Sequence, residues 1–332
     1  MNIAFIITGQ VVSAASNGVI SQAKTWQKGL ENKGHNIELI NPWIQYDWAD
    51  FDIILYFGLG GGMASHIATV SKINPNIVVA PICDPGYSVS TTRIYMHWGI
   101  RKLKLSNYLN DFNIVKHLVK AFLVRSEFEK RYIVDGYGTK EERCHIVPLS
   151  YKAPICENEI DKEDFCLHIS YLTDKRKNVK RLIDAAKKYN FKLVLAGRLR
   201  TKDEERLFHS WVDGANNIEY RGFVSQEEKI DLYRRAKVFA LPSINEGVGI
   251  VGLEAASQGC NIVVTSIGGP KEYYNGMARI VNPYKTKEIG EAVVAALSDN
   301  AARSQLKTYV EESYSLDSVT NLLLSALLKA KK

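Results

Sequence analysis

Short apolar runs alternate with stretches of helical periodicity along nearly the whole chain. Runs of four to six apolar residues without polar alternation are strands buried on both faces, and the amphipathic stretches between them are their covering helices. The first half predicts strands at 3–7, 37–40, 53–57, 77–81, 121–124 and 144–147. One helix is predicted over 19–33, ending at Gly34; another opens at Ser126, has Glu129 at capping-box spacing, and stops near Gly136. The pattern is that of an α/β protein with a doubly wound parallel sheet.

After Pro148 the periodicity loosens and then becomes highly charged from Glu157 to Asp164, so a linker is placed at 153–164 between domains at 1–152 and 165–313. The second series predicts strands at 165–169, 192–196, 218–220, 238–241 and 262–265, with a capping box at Ser225 and Glu228. A last helix, 316–330, carries an apolar side of Leu316, Val319, Leu322, Leu323 and Leu327. Its segment, 314–332, is taken as a separate C-terminal element.

Composition narrows the function classes. The 332 residues are 46% hydrophobic and 24% charged, with no low-complexity tract or repeat, which fits two globular domains rather than disorder or a solenoid. The net charge of +7 favours anionic partners, but the cations are spread along the chain without a nucleic-acid motif, so no nucleic-acid partner is expected. The first residues read as a buried strand without a basic leader, and no run approaches the ~20 apolar residues that span a bilayer. The expected compartment is the cytoplasm. Five cysteines, Cys83, Cys144, Cys156, Cys166 and Cys260, form no Cys-x-x-Cys pair and read as reduced thiols.

The most informative segment is Glu246-Gly-Val-Gly-Ile-Val-Gly-Leu-Glu254, which follows the strand-like run Lys237-Val-Phe-Ala-Leu-Pro. Its glycines allow close approach to the backbone, and Glu254 falls about two helical turns beyond Glu246. Free N–H groups and the positive dipole end of a helix at 247–250 suit phosphate, leaving the two carboxylates for hydroxyl groups.

With Ala255 appended, this segment resembles the glutamate-x7-glutamate signature of retaining glycosyltransferases of family four, the glycosyl transferases group 1. The resemblance implies the GT-B fold, two Rossmann-like doubly wound domains facing a central cleft, with donor bound in the second and acceptor in the first. It also implies a C-terminal helix that packs back toward the first domain. Glu246 would orient the transferred sugar, Glu254 would hold the ribose, and Gly247, Val248, Gly249 and Ile250 would present backbone N–H groups to the diphosphate. The family places an arginine and a lysine after the first strand of the donor domain. Lys177 falls at the lysine position, while Tyr171 occupies the arginine position, leaving Arg176 or Arg198 to supply the guanidinium. Gly222, Phe223 and Val224 resemble the turn that receives the base, Gly268-Gly269-Pro270-Lys271-Glu272 the glycine turn beside the donor, and Gly18 the glycine-rich loop before the first long helix.

The first domain departs from the pattern. Where the family often has His-Asp, this chain has Cys83-Asp84; Asp84 takes over the sugar contact, or His97 or His66 enters from elsewhere. Gly58-Leu-Gly60-Gly61-Gly62 fails as a dinucleotide site because the third glycine position holds Met63, and it reads as a loop lining the cleft. Asp50 and Asp52 precede a strand, the wrong end for a ligand, so no metal and no cofactor beyond the nucleotide-sugar substrate are expected. Tyr95 to Leu105 mixes bulky apolar residues with Arg101, Lys102 and Lys104, an interfacial composition that predicts peripheral contact with the inner face of a membrane.

The function expected is transfer of a sugar from a UDP- or GDP-sugar to a glycan or lipid-linked acceptor with retention of configuration, in cell-surface polysaccharide synthesis. Lys177, Arg176 and the amides near Gly247 to Gly249 would stabilise the departing diphosphate. The alternatives are a nucleotide-sugar epimerase of the same fold and a non-catalytic nucleotide-sugar-binding relative.

Overall fold

The computed structural model describes residues 1–7, 18–83, 88–98, 107–154, 160–299 and 302–331. It separates into two compact units, Met1–Leu149 with Leu316–Lys332, and Ser150–Ser315.

The first unit is a six-stranded parallel sheet of β1 (Asn2–Ile7), β2 (Asn36–Leu39), β3 (Ile53–Phe57), β4 (Ile77–Ala80), β5 (Ala121–Val124) and β6 (Cys144–Ile146), ordered β2-β1-β3-β4-β5-β6. Alternate side chains of β3, β4 and β5 serve two cores, which is why these three central strands are apolar and buried at every position. Ile3, Phe5, Leu55 and Phe57 face α1 (Gly18–Asn32) through Trp26 and Leu30. Ile54, Tyr56, Val79 and Phe122 form the opposite core with Met63 and Ile67 of α2 (Met63–Val70), Met96 of α3 (Val89–His97) and Phe112 of α4 (Tyr108–Val115). Ser126 caps α5 (Glu127–Arg131), which continues into a wider π-type turn over Tyr132–Gly136. Only half of the expected capping box forms there: Ser126 accepts the Glu129 N–H, but the Glu129 carboxylate accepts from the backbone and guanidinium of Arg125 and from the Cys83 N–H.

The second unit contains β7 (Glu163–Ile169), β8 (Leu193–Ala196), β9 (Ile218–Tyr220), β10 (Ala236–Leu241), β11 (Asn261–Thr265) and β12 (Arg279–Val281), all parallel and ordered β12-β11-β10-β7-β8-β9. The helices are α6 (Val179–Tyr189), α7 (Lys202–Val212), α8 (Gln226–Arg235), α9 (Ile250–Ser257), α10 (Thr286–Ser298) and α11 (Ala302–Tyr314). The Ser225–Glu228 capping box at α8 is complete in both directions. β12 was not predicted: it is three residues long, begins with an arginine and lies at a sheet edge, so it carries no apolar run.

The last helix, α12 (Leu316–Lys331), belongs to the first unit, where Val319, Leu323, Ala326, Leu327 and Ala330 complete the core around Trp26 and Phe57. Leu322, expected on its apolar side, is 47% exposed. The buried stripe instead runs through the small residues Ala326 and Ala330, which let the helix lie close to the sheet.

Candidate active site

In an open parallel sheet, ligands bind outside the carboxyl ends of the strands where the strand order reverses. In the second unit that point lies between β7 and β10, because β8 and β9 extend one way from β7 while β10 to β12 extend the other. The loops leaving these two neighbouring strands carry Lys177 and Glu246, whose Nζ and Oε2 are 2.6 Å apart. Both side chains are largely withdrawn from water, 23% and 14% exposed, and the Ser243 hydroxyl donates to the same Glu246 oxygen.

The loops are joined below that ion pair as well. Ile244 N–H donates to the Arg176 carbonyl at 2.7 Å. Asn178, in the left-handed region at φ 59°, donates to the carbonyls of Pro242 and Pro283 at 2.9 and 2.7 Å, tying the ends of β7, β10 and β12 together. Beyond Glu246 the chain turns through Gly249, at φ 72°, which caps α9. A side chain there would also lie 2.6 Å from Leu241. Gly268, at φ 88°, closes the other side: a Cβ would stand 2.1 Å from the Glu246 carbonyl oxygen. The Gly268-Gly269 turn is therefore packed on the first signature glutamate.

The second glutamate is not a solvated helix-surface charge. Glu254 is 3% exposed, and Lys229 and Tyr233 of α8 donate to its Oε2 at 2.8 and 3.4 Å. Burial holds the Tyr233 phenol far above its ordinary range, and the Glu254 charge adds to that.

The other expected residues occupy varied positions. The Arg176 guanidinium is exposed and forks onto Asp174 at 2.7 to 3.2 Å, leaving Lys177 as the cation on Glu246. Arg198 lies 4.0 Å over the ring of Phe223, which is 66% exposed, so these two separately chosen residues form one stack at the β8 end of the sheet. Gly222, at φ 71°, accepts the Gly197 N–H beneath that stack, and Val224 follows Phe223 just ahead of the capped helix. Tyr171 hydrogen-bonds to Glu204, and Arg200 stands 4.1 Å over its ring, bringing a guanidinium to that position from the loop after β8. Gly18 is the first residue of α1, and Asp84 lies outside the described residues.

Around the first unit's reversal point, the Gly58–Gly62 loop leaves β3 and opens α2. His66 pairs with the Tyr56 hydroxyl at 2.8 Å, and burial lowers its pKa; His97 is exposed and contacts Asn113. Cys83 is half-buried with its thiol 3.4 Å from the Tyr137 hydroxyl. Asp52 accepts the Asn2 N–H and Lys331, a structural use at the amino end of the sheet. Among the described residues no group of three or more His, Cys, Asp or Glu side chains is arranged to hold a metal ion.

Sequence reasoning missed His168, Lys229 and Tyr233. His168 is fully buried beneath the β7–β10 edge; the Ala240 carbonyl at 2.7 Å accepts from Nδ1, leaving Nε2 to accept the Ser170 hydroxyl at 2.7 Å. A histidine inside an apolar strand run was the only sign of it. Lys229 gave no sign at all, since its partner lies 25 residues away on another helix.

The profile of the glycosyl transferases group 1 matches residues 156–313. A glycosyltransferase of Methanocaldococcus jannaschii, MJ1178, is 33% identical over 254 residues, covering 68% of this chain and 69% of its own. The chain belongs to the glycosyl transferases group 1. A serotype-specific mannosyltransferase of Escherichia coli, WbdA, is 26% identical over 174 residues, 48% of this chain, and the chain spans only 21% of that relative's length. Among solved structures, a sucrose-phosphate synthase from Thermosynechococcus elongatus superposes with a TM-score of 0.74 at 13% identity, covering 98% of this chain and 97% of its own. Anabaena HepE, solved with UDP-glucose, superposes at 0.70 and 15% identity over 99% of both chains. This group 1 chain therefore has the GT-B fold, and its profile match contains all of Lys177, Glu246 and Glu254.

Proposed function

We propose that this group 1 protein transfers one sugar from a nucleoside-diphosphate donor, UDP- or GDP-linked, to a glycan or lipid-linked acceptor with retention of configuration. The observation that carries the reading is the Lys177–Glu246 pair at the reversal point of the second sheet, directly before α9. A diphosphate needs counter-charge in a partly desolvated site. Lys177 supplies it, the opening amides of α9 add a positive dipole end, and Arg176 or the Arg198–Phe223 stack is within the same edge of the sheet. Departure of the diphosphate is then aided by Lys177 as charge develops on the leaving oxygen. Glu246 is released from Lys177 to accept sugar hydroxyls, and Glu254 accepts those of the ribose. No metal takes part in this scheme.

Further support comes from relatives named as a serotype-specific mannosyltransferase and an O-antigen chain mannosyltransferase, and from the UDP-glucose in the HepE structure. Those names support the proposal that the reaction belongs to cell-surface polysaccharide synthesis; that it takes place in the cytoplasm, at the inner face of the membrane, is part of the same proposal. Among the described residues no helix is long and apolar enough to cross a membrane. Peripheral contact is proposed through Ile94, Tyr95 and Trp98, which α3 and its end leave exposed; in the sequence they are followed by Arg101, Lys102 and Lys104, which lie outside the described residues.

Calorimetric titration with UDP, GDP and their sugar conjugates in the presence of a chelator tests the donor site. Binding of one nucleotide that weakens at least tenfold in Lys177→Met and in Glu254→Ala is the expected result. Absence of binding by the native protein would remove the donor-site reading, and donor conversion without any acceptor would favour an epimerase.

A further inference from the structure

Glu254 is positioned from outside its own helix. Lys229 and Tyr233 are four residues apart on α8, so they share one face, and both donate to Oε2 of Glu254. The Lys229 ammonium also lies 5.9 Å over the Tyr233 ring, which limits where the long side chain can go. The Lys229 and Glu254 side chains are 18% and 4% exposed. A carboxylate so deep in protein is costly without a counter-charge and mobile without a hydrogen bond, and Lys229 provides both. Both donors are on Oε2 and neither uses Oε1, which keeps acceptor capacity of its own.

We propose that Lys229 is a positioning residue that makes Glu254 a selective acceptor for the hydroxyl groups of ribose, so that discrimination between ribonucleotide and deoxyribonucleotide depends on α8 as much as on the signature helix. The inference rests on the donor-site reading above. An acceptor fixed on one side by an ammonium keeps Oε1 aimed at a donor hydroxyl. Without Lys229, Glu254 swings or is neutralised, and the advantage of a ribose hydroxyl over a hydrogen atom is lost while contacts to diphosphate and base are unchanged. Loss of general packing would instead weaken all nucleotides together.

The test is titration of the native protein, Lys229→Met, Lys229→Arg, Glu254→Gln and the double variant Lys229→Met/Glu254→Gln with UDP, GDP and their 2′,3′-dideoxy counterparts. The native protein is expected to prefer the ribonucleotide by about tenfold, the scale of one charge-assisted hydrogen bond. Lys229→Met and Glu254→Gln should each erase that preference by weakening the ribonucleotide alone. Lys229→Arg should retain it, and the double variant should bind no more weakly than either single one. Should Lys229→Met fail to fold, Lys229→Gln takes its place, with the same result expected. A ribose preference that survives loss of Lys229 while Glu254→Gln abolishes it overturns the inference and leaves the donor site standing. No nucleotide binding by the native protein removes the donor site and the inference with it.

Discussion

His168 sits where β7 meets β10 with both ring nitrogens engaged and its ring stacked parallel to Phe239, 6.4 Å between centroids. Burial lowers its pKa from 6.5 to about 4; the Ala240 carbonyl opposes that shift, and the nearby charge of Lys177 reinforces it. The folded state therefore binds the proton more weakly than the unfolded chain. The stabilisation is complete above pH 6.5 and is lost as the pH falls from 6.5 toward 4. A gap of that size corresponds to on the order of 3 kcal/mol. Urea midpoints at pH 7.5 and 4.5 should fall steeply in the native protein and much less in His168→Gln; equal slopes would contradict the assignment. Because His168 holds Ser170 at the start of the loop that delivers Lys177, the same acid range should loosen the proposed donor site. At this scale the sequence singled out Glu246 and Glu254 by their spacing, and Lys177 by the family resemblance, as candidates. It did not pair Lys177 with Glu246 or point to Lys229 and Tyr233, because a charge's partner depends on which loop or helix packs beside it.

Loop ends decide the geometry at the scale of elements. Gly268 begins a turn after β11 that rests on the carbonyl of Glu246 in the loop after β10. Gly268→Ala meets two obstacles, a left-handed φ and a Cβ placed 2.1 Å from that oxygen. Gly276 has the same backbone hand, at φ 77°, with nothing within 4 Å of its Cβ, and isolates the first obstacle. Thermal unfolding should show Gly276→Ala losing about 1 kcal/mol and Gly268→Ala about 1 to 3 kcal/mol more, with nucleotide affinity falling only in the latter. Comparable losses in both would mean that the turn does not bear on Glu246. Elements fixed by neighbours in sequence were legible, as at Ser225 and Glu228. The same spacing at Ser126 and Glu129 gave the helix start and its serine cap but not the return bond, because Arg125 and the Cys83 N–H hold the Glu129 carboxylate.

At the scale of the whole molecule, the last 16-residue helix completes the core begun by the first strand. Leu323 and Leu327 are fully buried among Trp26, Phe5 and Phe57, so Leu327→Ala should cost about 2 to 5 kcal/mol, whereas Leu322→Ala should cost under about 1. Urea unfolding of the two variants makes the comparison, and similar midpoints would place α12 off the core.

The order of elements, the doubly wound class and the signature segment were set by the sequence alone, since each depends on apolar periodicity or on residues within about ten positions. Tertiary structure alone decided that β10 lies beside β7. That adjacency brings Lys177 to Glu246 across 69 residues, while Arg176 turns to Asp174 two residues away. Charges find partners only after the sheet is ordered, and the sheet is ordered by burial of its apolar faces, which carries no information about where a particular charge will land.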